Sequence, residues 1–313
     1  MKRFLVPHLI CPACLPKEQG LALASAKEKE GDIVSGYLSC PNCLRRFPIK
    51  DGVALLVSDP DQLLSSAAWR YEEQETLNRY LWSHYAELHG DPENGAANAA
   101  FAGCLADRSE SALDAGCSVG RMVFEMAARS GWAVGCDLSH NFVRTARRLA
   151  AQRMLTYSLP LEGKLRETFR IVLPDLWRTD NLEFVVADAL RLPFASGTFQ
   201  QSASLNVLDR VSYPLGHLCE MNRTAYREKA SFLFASPFSW DSSEIRQELW
   251  LGGTATGPNS GRGAERVRSL LEGKGKILLP PWRMAHTGSI QWRLRSHRNH
   301  CELFNSEVLV AIR

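Results

Sequence analysis

Residues 111–127 read SALDAGCSVGRMVFEMA, and the five at their centre, Gly116-Cys117-Ser118-Val119-Gly120, admit two chemistries. One is the G-x-S-x-G turn that lifts a serine nucleophile at a strained strand-to-helix junction, with an aspartate and then a histidine following in the chain. The other is a glycine-rich turn whose open backbone receives a cofactor between a strand and an amphipathic helix. A nucleophile turn belongs after several strands. Here only a cysteine-rich segment and a helical segment come first, so Ser118 ends the first strand of its domain. In an open parallel sheet that is where nucleotides bind, outside the carboxyl ends of the strands.

Working outward, the pattern after residue 111 is strand, loop and helix repeated: SALDAG, RMVFEMAARSG, WAVGCDLS, HNFVRTARRLAAQR, LEFVVADA, FQQSASLNVL and ASFLFASP. Such alternation predicts a parallel sheet with helices on both faces. The ending GSIQWRLRSHRNHCELFNSEVLVAIR instead reads as two strands with a turn near His300, an antiparallel edge pair. The expected fold is α/β: a Rossmann-like, seven-stranded, mostly parallel sheet with an antiparallel C-terminal pair.

The first 58 residues form a separate unit. Cys11-Pro-Ala-Cys14 and Cys40-Pro-Asn-Cys43 are two CxxC knuckles with 25 residues between them. Four thiolates so spaced close tetrahedrally on one zinc ion, and a unit this small needs the metal for its folding energy. Four sulfur ligands leave no open position, so the zinc is expected to be structural. With its FPIKDGVALLV tail the ribbon resembles the small zinc-ribbon proteins that activate tRNA and protein methyltransferases. The expected division is a zinc ribbon over 1–58, a helical linker or cap over 59–110 and a catalytic domain over 111–313, with a substrate loop or lid at 240–285. Within the cap, Leu77, Tyr80, Leu81, His84, Tyr85 and Leu88 share one helical face. Tyr80, His84 and Tyr85 are pocket candidates because the segment precedes the glycine turn.

Composition is that of an ordinary globular chain: 313 residues, 45% hydrophobic, 23% charged, net charge +3. The mild positive charge permits a nucleic-acid partner without arguing for one. No run of about 18 apolar residues is present, so no membrane span is expected. The opening MKRFLVPHLICPAC has the outline of a secretory leader, but Pro7 and His8 interrupt the apolar run and Ile10 is too bulky for a cleavage position. The nine cysteines stand in CxxC or hydrophobic contexts, which suggests a reducing cytoplasm.

The cofactor follows from what the turn lacks. Counted as G-x-G-x-x-G from Gly116, Ser118 replaces the second glycine and Arg121 the third, so a dinucleotide pyrophosphate is disfavoured. S-adenosylmethionine has no phosphate and asks only for close backbone approach. Asp137 ends the second strand, 17 residues beyond Gly120, where it can accept the ribose hydroxyls. Asp188 ends the third strand, where it or the following backbone can meet the adenine amine. LDAGCSVGR, VGCDLS and FVVADALRLPF thus resemble the first three motifs of class I S-adenosylmethionine-dependent methyltransferases, over about residues 75–313. The resemblance implies cofactor contacts at Asp114, Gly116, Cys117, Ser118, Gly120, Asp137, Leu138, Asp188, Ala189 and Asn206, with S-adenosylhomocysteine as product.

The acceptor is less sharply written. Asn206 and Asp209 fall at a strand end in SLNVLDRVSYP, without the N/D-P-P-Y/F signature used to methylate amides and exocyclic amines. Trp240 and Trp250 precede a glycine-rich segment through Gly263 that can close as a lid. LNVLDR, SPFSW and ELWLGG, the YSLPLEGKL insertion and the ending WRLRSHRNHCELFNSEVLVA resemble the methyltransferase domain of ovothiol synthase. That resemblance implies a small zwitterionic N or S nucleophile, imidazole or thiol-imidazole in type, whose carboxylate would meet Arg293, Arg295 or Arg298. A second reading takes the ribbon and the basic clusters, Arg45 and Arg46, Arg144 to Arg148, and Arg293 to His300, as an RNA track, since ribosomal-RNA guanine methyltransferases also begin with a four-cysteine ribbon. A third makes the chain a non-catalytic, cofactor-binding partner of another methyltransferase, contacting it through the ribbon.

Overall fold

The computed structural model describes residues 1–58 and 70–313; the part of the expected helical segment over 59–69 lies outside them. Four ribbon strands come first: β1 (Ala22–Lys29), β2 (Asp32–Ser39), β3 (Arg46–Lys50) and β4 (Val53–Leu56). Helices α1 (Gln74–His84) and α2 (Pro92–Gly103) lead to β5 (Ser109–Ala115), α3 (Arg121–Arg129), β6 (Ser130–Asp137) and α4 (His140–Gln152). A hairpin of β7 (Met154–Glu162) and β8 (Leu165–Val172) precedes β9 (Leu182–Ala187) and β10 (Gln201–Leu205). The chain ends with α5 (Pro214–Thr224), β11 (Ser231–Ser236), α6 (Gly263–Leu271), β12 (Arg283–His297) and β13 (His300–Ile312).

The strands β9-β6-β5-β10-β11-β13-β12 lie side by side, parallel as far as β11, with β13 antiparallel to both of its neighbours. β9 is buried at every position, as a strand covered on both faces must be. Helix α4 shows why the faces close. Phe142, Val143, Ala146 and Leu149 are buried while Arg144 and Arg148 stay exposed, the 3.6-residue period of an amphipathic helix. Its start is capped by the Ser139 hydroxyl, which accepts from Phe142 N–H at 3.1 Å.

The expected count of seven strands needs correction, because the sheet has eleven. β4 pairs in parallel with β9, Leu55 opposite Val186 and Leu56 opposite Ala187, so β3, β2 and β1 extend the same sheet. The reason lies in the apolar Val-Ala-Leu-Leu of β4, which covers an edge of β9 that would otherwise expose unpaired backbone. The seam is dry. Leu5, Leu9, Phe194 and Phe199 are each at most 1% exposed, and the Phe194 and Phe199 rings meet edge-on at 5.0 Å. A half-buried charge cluster locks it, with Arg147 of α4 paired to the buried Glu183 at 3.1 Å and to Asp32 of the ribbon. Arg147 is therefore no part of a solvated basic face.

No helix among the described residues is long and apolar enough to cross a membrane. Truncation of Phe194 to alanine at this seam should cost about 3–5 kcal/mol, the range for a fully buried aromatic. Urea unfolding measures it, and a loss below about 1 kcal/mol would contradict the packing described.

Candidate functional site

The quoted turn connects β5 to α3 in left-handed backbone at three points: Gly116 (φ +80), Ser118 (φ +49) and Gly120 (φ +87). A side chain on Gly116 would collide with Val207, and one on Gly120 would reach Phe184 at 2.7 Å, so both positions demand glycine. Ser118 adopts the strained conformation without being glycine, and Asp137 explains how. One carboxylate oxygen of Asp137 accepts from Ser118 N–H and the other from Ser139 N–H, each at 2.9 Å. The Ser118 hydroxyl is buried and has no partner among the described residues.

Three carboxylates stand at the carboxyl ends of adjacent parallel strands: Asp114 on β5, Asp137 ending β6 and Asp188 just after β9. Burial drives Asp114 up to about 7, with the nearby Asp137 adding to the rise. Burial likewise raises Asp137 to about 6 against the backbone N–H groups that favour its charge. Asp188 is also raised by burial, although its side chain accepts from Leu190 N–H at 2.8 Å. Three desolvated acids facing one crevice favour a cationic or hydroxyl-rich ligand and repel a phosphate.

The loop after β9 is braced from behind. His217 Nδ1 donates to the Ala189 carbonyl at 3.1 Å, while its Nε2 accepts from the buried Ser204 hydroxyl at 2.7 Å. Leu192 N–H donates to Glu220 at 2.7 Å. Arg191 reaches into the first cysteine knuckle, donating to the carbonyls of Pro12 at 2.9 Å and Leu15 at 3.3 Å. The ribbon thus touches the loop after β9 directly.

In that ribbon the sulfurs of Cys11, Cys14, Cys40 and Cys43 all lie within 4.8 Å of one another, with Cys11–Cys43 at 3.6 Å and Cys14–Cys40 at 3.7 Å. A tetrahedron of sulfurs about 2.3 Å from zinc has edges of about 3.8 Å, so the cluster fits structural zinc.

Above the crevice lies a cavity of about 690 Å³, within the range of small-molecule sites. Of the residues singled out from sequence, Asp114, Gly116, Cys117, Ser118, Asp137, Leu138, Asp188, Ala189 and Asn206 are on its wall, and so are Tyr80 and His84 of α1. Others have different duties. Gly120 caps α3 and lies behind the wall. Tyr85 is fully buried, donating to the Val119 carbonyl at 2.8 Å, so it shapes the turn from below. Asp209 accepts from Ser239 N–H at 2.8 Å and the Ser236 hydroxyl at 3.3 Å, which anchors the chain after β11. Trp240 and Trp250 stack on each other, centroids 5.9 Å apart, away from the cavity. Arg293 grips both oxygens of Asp91 at 2.9 and 3.0 Å, and Arg295 pairs with Glu167 at 2.7 Å. Neither arginine is on the cavity wall.

What the sequence reading missed on that strand is its alternation. In Trp292-Arg293-Leu294-Arg295 the cavity receives Trp292 and Leu294, and the arginines take the other positions. Trp292 faces Phe304 of β13 in register and stacks on it at 4.6 Å. Its indole N–H donates to the Ser306 hydroxyl at 3.0 Å, which in turn donates to Asn206 Oδ1 at 2.6 Å, fixing the Asn206 amide at the cavity wall. Tyr71, Arg79, Asn94, Asn98 and Arg210 also line the wall, and none of them carries a local sequence signal for it.

Comparison with known proteins places two domains on the chain. Residues 113–228 match the model of a methyltransferase domain, and residues 2–52 match that of Trm112p-like proteins. No curated protein gives a significant sequence match. Among solved structures the chain is similar to magnesium protoporphyrin IX methyltransferase from Synechocystis PCC 6803 with bound S-adenosylmethionine, at 16% identity over 77% of this chain and 97% of that one, TM-score 0.43. It is also similar to a chain from a complex containing the Haloferax volcanii Trm112 methyltransferase activator, at 14% identity over 75% and 96%, TM-score 0.41. A Methanosarcina mazei S-adenosylmethionine-dependent methyltransferase is similar at 16% identity over 67% and 94%, TM-score 0.41.

Replacing Cys40 with serine should release the metal and lower the melting temperature, because a closed four-sulfur site loses one ligand. Metal analysis with thermal unfolding tests this; one bound zinc and an unchanged melting point would contradict it.

Proposed function

We propose that the chain is an S-adenosylmethionine-dependent methyltransferase acting on a small nitrogen or sulfur nucleophile, from a cytoplasmic location in keeping with its nine unpaired cysteines. The observation that carries the reading is the trio Asp114, Asp137 and Asp188 around a glycine turn. Bound there, the cofactor supplies an electrophilic methyl on a positively charged sulfur. The unpartnered Ser118 hydroxyl, the strained turn and the acidic strand ends suit its amino-acid, ribose and sulfonium parts.

The rest of the wall suits a flat acceptor. Tyr80, His84, Phe101, Trp292 and Phe304 bring aromatic rings to it, and Asn94 and Asn98 share the wall. Holding an acceptor there, oriented and shielded from water, is the main task in a displacement whose nucleophile is the substrate's own lone pair. A zwitterionic acceptor, as the ovothiol synthase resemblance suggests, would find its cation partner in Arg79 or Arg210. Both are on the wall, Arg79 paired to Glu302 and Arg210 to Glu244 at 3.5 Å.

The RNA reading loses support in part, because Arg147, Arg293 and Arg295, three members of the basic clusters, are engaged by carboxylates. The ribbon, similar to methyltransferase activators, shares one sheet with the methyltransferase domain, which supports activation within the same chain. That arrangement leaves less reason to assign it a non-catalytic role toward another methyltransferase.

Asp137→Ala should weaken cofactor binding by about 1–3 kcal/mol, the loss of a buried charged acceptor. Calorimetry with S-adenosylhomocysteine checks it, alongside label transfer from methyl-labelled cofactor to a small-metabolite extract and to total RNA. Label in the metabolite pool supports the reading; label confined to RNA, or unchanged affinity in the variant, would contradict it.

A pH dependence follows from the raised acids. A positively charged ligand favours ionised carboxylates, so affinity for S-adenosylmethionine should rise with pH through about 6 to 7, where Asp137 and Asp114 lose their protons, and level off above. Without ligand the sign for stability is opposite, since an acid whose pKa is raised by folding stabilises at low pH and loses that contribution as pH climbs through its folded value. Affinity that is flat between pH 5.5 and 8 would contradict the assignment of these carboxylates to the cofactor.

A further inference from the structure

His84 closes α1 with its backbone pinned from three sides. Its carbonyl accepts from the Asn98 amide at 3.0 Å, the neighbouring Ser83 carbonyl accepts from the same amide at 3.2 Å, and the Ser83 hydroxyl donates to the Arg293 carbonyl of β12 at 2.7 Å. The ring is set against Tyr80, centroids 5.8 Å apart, and borders the cavity. Among the described residues the ring has no hydrogen-bond partner; Nδ1 is shut off from solvent, and Nε2, which is not among the sealed atoms, is the nitrogen open to the cavity. A fixed imidazole whose one open nitrogen has no protein partner is free to accept a hydrogen bond from a ligand in the cavity.

We infer that His84 is a catalytic residue on the acceptor side of the cavity, its Nε2 accepting the hydrogen bond, and then the proton, of the acceptor's N–H or S–H. With a proton on Nδ1, Nε2 keeps a lone pair for the cavity. Burial, with Arg121 as the positive charge that adds to it, lowers the ring to about 4, so it is neutral at physiological pH and able to accept. As the acceptor's lone pair forms a bond to the methyl carbon, the carbon–sulfur bond breaks with its electrons going to sulfur, and the acceptor's proton passes to Nε2 and on to water. His84 orients the nucleophile as well as taking its proton. The two wall residues nearest it in the sequence, Tyr80 and Ser83, carry only hydroxyl groups; the phenol is pushed further from ionisation by burial and the serine hydroxyl is already engaged.

This inference rests on the methyltransferase reading, and the test separates the two. Wild type, His84→Gln and His84→Phe are compared for S-adenosylhomocysteine affinity by calorimetry and for label transfer from methyl-labelled S-adenosylmethionine to a small-metabolite extract. The inference predicts affinities within about twofold of each other and a transfer rate at least about a hundredfold lower in both variants. Wild-type transfer rates in the variants overturn it, as does a parallel loss of affinity, which would make His84 a cofactor or packing residue. Wild type that neither binds the product nor labels the extract overturns the methyltransferase reading itself, and this inference with it.

Discussion

Everything at the site depends on keeping acids dry. Asp114, Asp137 and Asp188 stand at the carboxyl ends of three neighbouring strands, beside buried apolar residues such as Leu113, Val134 and Val186, so the sheet that gives the chain its core also strips water from the carboxylates. The cost is visible in the upward displacement of all three. It is offset locally by backbone N–H groups donated from the turn and from the helix start, which ties the conformation of Ser118 to the charge of Asp137. A ligand that brings positive charge and hydroxyl groups completes this arrangement, and a phosphate does not.

The second dependence runs from metal to loop. The zinc-binding cluster sits in a ribbon too small for a core of its own, but β4 gives it a seat on the free edge of β9. Two residues further along, the same stretch of chain forms the loop that lines the cavity at Asp188 and Ala189, and Arg191 ties that loop to the carbonyls of the first knuckle. Metal, edge strand and crevice are therefore parts of one structural path. The Trm112p-like match over residues 2–52 and the methyltransferase match over residues 113–228 describe its two ends.

Much of this was legible in the sequence, and the failures have identifiable causes. The turn, the two strand-end aspartates and the cysteine knuckles are local patterns, each set by spacing within a few residues, and the structure places them as spacing implies. The strand count was not legible, because nothing local in Val-Ala-Leu-Leu says which edge it will cover. Arg293 and Arg295 were attractive for their charge, but the period of a strand assigns the cavity to Trp292 and Leu294, and that signal was present and went unused. Asp209 and Tyr85 were misread for another reason: a buried carboxylate and a buried phenol near a turn serve as well for holding backbone as for binding a ligand. Arg210, one residue beyond Asp209, is the neighbour that lines the cavity.

The most direct measurement is a crystal structure of the protein grown with S-adenosylhomocysteine. The account predicts the nucleoside in the crevice over Gly116, its ribose hydroxyls on Asp137 and Ser118 unmodified. An empty crevice under saturating ligand, or a Ser118 hydroxyl that reacts covalently with a fluorophosphonate probe, would contradict it.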